Sequence, residues 1–395
     1  MSLNDKENGL QFLDAYIDDG RMFFSAENFN GLFCLEAGKS EAEFLGHFEK
    51  EKLWQKCLHR QVIGVSDYLY FIPFAAGGVS IYNKKSGKIT HIEIKEKVIV
   101  SRAFLIDKKI YMIPYDLKKP FLIFDTENNS YEVVGDLYNN ICSQFNSGDG
   151  IQFGLYSSLI LDKKLYLNGN NGRVLCVDIE NKQVNTYQLP KAYKIRNMYF
   201  DRGVFYLVLS DKYGVVRWDL STGYCREYKI KNLSNIEYHP YMTILRWNEH
   251  LLLLPDYSDK ILELNEKTDE WCINTDFIPP SFKRGKKEGS LFAGYKVIDD
   301  RLVLFPHTGN GMIVLSENGS GFYKIDYPDK LLGMIEDIPK YFIKDQIYEK
   351  NMLYENEGEQ ISLGHYLEVL IDVFQQNKNL DRDNVGMKIW NTNCH

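Results

Sequence analysis

Pairs of short apolar runs recur along this chain, each pair joined by a polar or glycine-rich turn. The clearest are Leu69–Pro73 with Val79–Asn83, Ile110–Pro114 with Phe121–Asp125, Leu165–Gly169 with Val174–Asp178, and Phe205–Leu209 with Val215–Asp219. Leu251–Pro255 with Ile261–Asn265 and Leu302–Pro306 with Met312–Ser316 continue the series, and Met22–Ser25 with Leu32–Glu36 is a weaker first copy. The second runs end at residues 36, 83, 125, 178, 219, 265 and 316, a spacing of 41 to 53 residues. Runs this short and this continuously apolar read as strands covered on both faces.

Two more strands complete each unit. One precedes the pair, as in Arg102–Ile106 before the tight turn Asp107-Lys108-Lys109. The other follows it after a turn such as Asp219-Leu220-Ser221-Thr222-Gly223, where Asp, Asn and Gly supply capped and left-handed positions. A period of 40 to 50 residues built from four short strands is the signature of a propeller blade. The expected fold is all-β, a seven-bladed β-propeller of four-stranded antiparallel blades over residues 1–328. The blades fall at about 10–48, 61–95, 101–135, 155–189, 196–230, 242–275 and 291–327. Tyr (27) and Phe (23) are abundant enough to furnish such strands. Residues 329–395 read as a partly helical C-terminal extension packing on the propeller. Ser362 can cap a helix over 363–376 with Tyr366, Leu367, Leu370, Val373 and Phe374 on one face. A second short helix would begin near Asn384 and carry Trp390.

The turns Asp125-Thr126-Glu127-Asn128-Asn129-Ser130-Tyr131 and Asn265-Glu266-Lys267-Thr268-Asp269-Glu270-Trp271 resemble those joining the last two strands of Kelch-type blades, and Gly77-Gly78 resembles the Kelch double glycine. The recurring apolar-Pro ending at 73, 114, 255 and 306 resembles related bacterial propellers of uncharacterised function. The likeness extends over most of the chain at blade level and implies a fold, with no activity attached to it.

A net charge of −7 argues against a partner that needs a broad positive field, so neither nucleic acid nor an anionic membrane is expected. No run of 18 apolar residues is present, and the first residues lack the apolar core of a signal peptide. Seven cysteines at 34, 57, 142, 176, 225, 272 and 394 form no close pair, which fits a reducing cytoplasm. Neither CxxC, HExxH nor GxSxG occurs, so no metal and no cofactor is expected.

Propellers bind at the mouth of the central channel. The candidate loop residues there are Tyr115, Asp116, Asn170, Asn171, Tyr213, Asp256, Tyr257 and His307, a set suited to packing on and hydrogen-bonding a sugar or peptide. Arg60, Arg102 and Arg196 stand at the start of the innermost strand, in what reads as a common register aimed at one rim. Clustered guanidinium groups suit a carboxylate or phosphate, or else a ring of salt bridges between blades. With no nucleophile or acid–base set, the leading expectation is a cytoplasmic recognition or scaffold propeller for a protein or peptide partner, leaning away from an enzyme. The alternative is a small-molecule or glycan site, with lyase or hydrolase activity and an anion site at the channel mouth.

Overall fold

The computed structural model describes residues 9–116, 118–143, 157–169, 171–210, 214–230, 240–258, 260–274, 277–282, 290–328 and 331. Seven antiparallel sheets of four consecutive strands follow one another along the chain. Blade 1 holds β1 (Ala15–Asp18), β2 (Arg21–Ser25), β3 (Leu32–Glu36) and β4 (Glu43–Gly46). Blade 2 holds β5 (His59–Val65), β6 (Tyr68–Pro73), β7 (Gly78–Asn83) and β8 (Ile89–Glu93). Blade 3 holds β9 (Val100–Ile106), β10 (Lys109–Pro114), β11 (Leu122–Asp125) and β12 (Ser130–Val133). Blade 4 holds β13 (Ser158–Leu161), β14 (Lys164–Asn168), β15 (Arg173–Asp178) and β16 (Gln183–Gln188). Blade 5 holds β17 (Ile195–Asp201), β18 (Val204–Leu209), β19 (Gly214–Asp219) and β20 (Cys225–Lys229). Blade 6 holds β21 (Tyr241–Trp247), β22 (His250–Pro255), β23 (Ile261–Asn265) and β24 (Glu270–Asn274). Blade 7 holds β25 (Phe292–Ile298), β26 (Arg301–Pro306), β27 (Met312–Ser316) and β28 (Gly319–Tyr323). The expected seven-bladed propeller is therefore present, including the weak first copy.

Second and third strands are buried on both faces because each blade is covered by two neighbours; every residue of β18 is buried. The buried apolar side chains fall into seven clusters, one at each blade-to-blade interface including that between blades 7 and 1. Each fully buried large side chain contributes roughly 1.5–3 kcal/mol, so these clusters are what holds the ring. First strands approach the first strands of adjacent blades, β5 with β9 and β17 with β21, which places them around the axis.

The starts of these inner strands pair with the ends of the second strands, as in His59 opposite Pro73 and Tyr241 opposite Pro255. A register shift occurs here in blades 2, 3, 5, 6 and 7. Proline lacks the donor that a regular ladder requires and is tolerated at such irregularities. That accounts for the recurring prolines at 73, 114, 255 and 306.

The turns between third and fourth strands repeat in detail. Asn83, Asp125, Asp178, Asp219 and Asn265 each accept a bond from the backbone N–H two residues on, at 2.8 to 3.1 Å. The fourth residue after each, Gly87, Asn129, Lys182, Gly223 and Asp269, has a positive φ. In blade 2 the second glycine of Gly77-Gly78 has a steric cause: a Cβ on Gly78 would lie 2.0 Å from the carbonyl oxygen of Ile92.

Among the described residues each blade keeps four consecutive strands, and the ring is joined by a parallel bridge of Asp326 to Glu41. The segment after β28 crosses to blade 1, where Leu10 N–H donates to Ile325 O (2.8 Å) and Asp326 N–H to Ser40 O (2.7 Å). Phe12 packs on Phe24 and Phe305, with ring centroids 4.3 and 5.2 Å apart. A helix described along its whole length, α1 (Gly135–Cys142), lies between blades 3 and 4. It contributes Ile141 to their shared core and was not foreseen, since eight residues carry too little periodic pattern. The expected C-terminal helices lie outside the described residues, which end at Leu331.

Candidate site at the channel mouth

The start of the inner strand, the end of the second strand and the loop after it all meet at one end of the ring. Across blades 5, 6, 7 and 1 this end carries a continuous polar chain. Arg196, in the irregular first turn of β17, pairs with Asp256 in the loop after β22. The other Asp256 oxygen accepts the hydroxyl of Ser290, in the connector entering blade 7. Ser290 O accepts from Thr308 Oγ1 at 2.8 Å and lies 3.1 Å from His307 Nδ1. His307 Nε2 then reaches Glu27 Oε1, in the loop after β2, at 3.0 Å.

Asp256 is 1% exposed, and its backbone is fixed as well, its N–H donating to Pro240 O and its carbonyl accepting from Leu291. A buried carboxylate is tolerable only when paired and hydrogen-bonded, and both oxygens here are. For His307, burial alone would lower the pKa. Its bond to Glu27, with the charges of Glu27 and Asp256, reverses this and raises it above the ordinary value. Its partners are a carbonyl and a carboxylate, both acceptors only, so each ring nitrogen must donate and the favoured form is the imidazolium. Neither nitrogen is left to take a proton from a bound molecule.

The remaining expected residues are dispersed. Arg60 lies over the Phe74 ring at 5.2 Å. Arg102 donates from Nη1 to Ser158 O of blade 4 at 2.8 Å and covers Phe104 at 5.0 Å. The common register expected for the three arginines does not hold. Arg102 pairs opposite Ile113, whereas Arg60 and Arg196 occupy the irregular step that Ser101 occupies in blade 3. A one-residue slip in a strand sends the side chain to the other face. Arg102 instead continues a ladder between inner strands, in which Asp14 Oδ2 accepts Val62 N–H (2.9 Å) and Gln61 Oε1 accepts Ala103 N–H.

Asp116 caps its own loop, accepting Lys118 N–H at 2.9 Å. Tyr115 and Tyr257 are half-buried, and Asn171 is exposed with φ 57°. Asn170 and Tyr213 lie outside the described residues. The mouth therefore gathers Arg196, Asp256 and His307 into one network.

Sequence reasoning missed Ser290 and Glu27. The only available signal for Glu27 was its place in blade 1, in the same loop position that supplies Asp256 and His307 in blades 6 and 7. It also missed His59, fully buried between blades 1 and 2. There His59 Nδ1 faces Ser25 Oγ at 3.0 Å and Nε2 faces Ser80 Oγ at 3.3 Å, with Ser80 Oγ 3.4 Å from His91 Nδ1. Burial, reinforced by His91, holds the His59 pKa down at about 3, so this ring is neutral. Half-buried aromatic side chains collect on the same end: Trp54 in the connector to blade 2, Phe74, Tyr115 and Tyr257.

No family model matches the chain, and no curated protein does either. Solved structures do. The extracellular domain of a putative one component system from B. thetaiotaomicron aligns over 80% of this chain and 39% of its own, with TM-score 0.54 and 12% identity. A catalytically inactive histidine-to-alanine variant of virginiamycin B lyase from Staphylococcus aureus, with quinupristin, aligns over 81% of this chain and 97% of its own, with TM-score 0.54 and 13% identity. The likeness is one of fold. This chain thus spans about two fifths of the first structure and nearly all of the second, and neither is a Kelch protein.

Proposed function

We propose that this chain is a cytoplasmic recognition propeller that binds a protein or peptide partner through the loops at the channel mouth. The observation that carries the reading is how the mouth's polar groups are engaged. Arg196, Asp256, Ser290, His307 and Glu27 bond one another across four blades, and Arg102 bonds the backbone of blade 4. What these bonds fix in place is a rim bearing Trp54, Phe74 with Arg60 stacked on it, Tyr115 and Tyr257. Aromatic side chains and arginine held on a rigid frame are the types that dominate binding energy at protein interfaces. The extracellular domain of a putative one component system among the structural neighbours is compatible with recognition without catalysis. The capped turns of five blades support the Kelch-type reading of the repeat.

The test compares partner capture by the full chain with that by a variant carrying Trp54→Ala, Phe74→Ala, Tyr115→Ala and Tyr257→Ala, once circular dichroism shows both folded alike. Capture by the full chain alone is expected. Equal capture by both overturns the reading.

A second reading, a small-molecule or glycan site with lyase chemistry, has one observation in its favour. Glu27 Oε2 is buried with no hydrogen-bond partner among the described residues, beside a histidine, and one structural neighbour is a lyase inactive without a histidine. A thermal-shift screen against sugar acids and sugar phosphates separates the two. A ligand well above its Kd raises stability by roughly 2–4 kcal/mol. Such a rise, abolished by Glu27→Gln, would favour this second reading.

A further inference from the structure

The net charge of −7 is not spread evenly over the ring. At the end opposite the mouth, lysines in the blade turns pair with carboxylates: Lys39 with Glu36, Lys84 with Asp18, Lys85 with Asp67, Lys108 with Glu127 and Lys163 with Glu180. The mouth end of blades 1 to 3 is built differently. Lys50, Lys56, Lys95, Lys97, Lys118 and Lys119 stand exposed there, in the connectors between blades and the loop after β10. Among the described residues none of the six pairs with a carboxylate. The acids close to them bond other groups. Glu51 Oε1 accepts Gly77 N–H at 2.8 Å, Glu96 Oε2 accepts the Tyr131 hydroxyl at 2.8 Å, and Asp116 Oδ1 accepts the backbone N–H of Lys118 at 2.9 Å. Each of these carboxylates fixes a loop and leaves the lysine ammonium groups uncompensated.

Apolar side chains stand among these lysines. Ile99 is 45% exposed, and its carbonyl accepts Tyr115 N–H at 2.7 Å, which sets Tyr115 beside it. Lys52 lies over the Trp54 ring at 5.2 Å, as Arg60 lies over Phe74. Gly77 bonds Glu51 in the connector before blade 2, and its carbonyl accepts Ile94 N–H in the connector before blade 3. The surface is therefore continuous from blade 1 to blade 3.

We infer that this sector takes an acidic segment of the partner protein, its Asp and Glu side chains over the lysines and its apolar side chains on Ile99 and Tyr115. The inference rests on the recognition function proposed above and names the chemistry of the partner. Uncompensated ammonium groups on a rigid rim are complementary to carboxylates, and the apolar side chains between them supply an anchor. A nucleic acid strand fits less well. Glu51, Glu96 and Asp116 interrupt the cations that a phosphate backbone would follow. One face of Trp54 and one of Phe74, where bases would stack, are already covered by a cation.

The test selects binders of the full chain from a library of displayed short random peptides at physiological salt. Their affinities are then measured for two charge-reversed variants that circular dichroism shows to be folded. The mouth variant carries Lys56→Glu, Lys95→Glu, Lys118→Glu and Lys119→Glu; the control carries Lys88→Glu, Lys109→Glu, Lys164→Glu and Lys267→Glu in turns at the opposite end. Selected peptides rich in Asp and Glu are expected, with affinity about tenfold lower for the mouth variant and unchanged for the control. Peptides without acidic enrichment, or equal losses in the two variants, overturn the inference and leave the recognition reading standing. A library that yields no binder overturns both. Single-stranded RNA of the same length is the rival ligand, and tighter binding of the RNA than of the peptides overturns the inference. Affinity of the peptides for the unaltered chain should also fall as salt rises, and a flat salt dependence overturns it as well.

Discussion

Among the histidines at the mouth end of this ring, His59 in blade 2 and His307 in blade 7 have neighbours that give them different charge states. His59 has hydroxyl partners on both nitrogens, which accept or donate as needed and add no charge. Burial then decides, and the ring stays neutral. His307 has a carbonyl on one side and a carboxylate on the other, and Glu27 more than offsets the cost of burial. The His59 cluster between blades 1 and 2 is thus an uncharged polar fastening inside an apolar interface. The contacts from blade 5 round to blade 1 are a charged one, at a rim where water still reaches part of the network. Residue type alone does not set the role of a histidine; the acceptors around it do.

The largest expected effect lies in the charged half. Asp256→Ala removes the shared partner of Arg196 and Ser290 and should lower stability by about 3 kcal/mol, read by chemical denaturation. Lys85→Ala, which removes only an exposed pair with Asp67, should cost far less. Equal losses would show that the ion pair does not set the strength of this half.

The uncharged half should respond to acid. The folded pKa of His59 lies below the unfolded value near 6.5, so its contribution is full above pH 6.5. It is lost as pH falls from there toward 3, at up to about 1.4 kcal/mol per pH unit. His59→Gln should flatten this acid limb, and an unchanged limb would mean that the ring is already charged or exposed. His307 acts in the opposite sense. Its folded pKa is raised, so its contribution is full below pH 6.5 and is lost as pH rises through the folded pKa. His307→Gln should remove about 1.5 kcal/mol at pH 6 and progressively less at higher pH.

The smallest effects concern the turns, which belong to neither half. Lys182 holds the left-handed position that glycine fills in blades 2 and 5. Lys182→Gly should raise stability by about 0.5–1 kcal/mol, and Gly223→Ala should lower it by about the same amount, both read from thermal midpoints.

The strands were legible in the sequence because each blade is buried on both faces and so repeats an apolar pair. The capped turns were legible because Asp and Asn at fixed offsets do local work. What joins the blades was not. Arg102 looked equivalent to Arg60 and Arg196 because the irregular step at Ser101 leaves no mark in residue type. Ser290 and Glu27 are ordinary loop residues until the ring brings four blades together. The role of His59, at the mouth end of β5, was not legible because its two serine partners are 34 and 21 positions away.

The most direct test of the claim that the mouth's acid–base groups are taken up by contacts between blades is nitrogen NMR of the histidine rings at pH 7. We expect both nitrogens of His307 to be protonated while His59 shows one neutral tautomer. A neutral His307 with one unprotonated nitrogen would contradict the claim and return that ring to the candidates for catalysis.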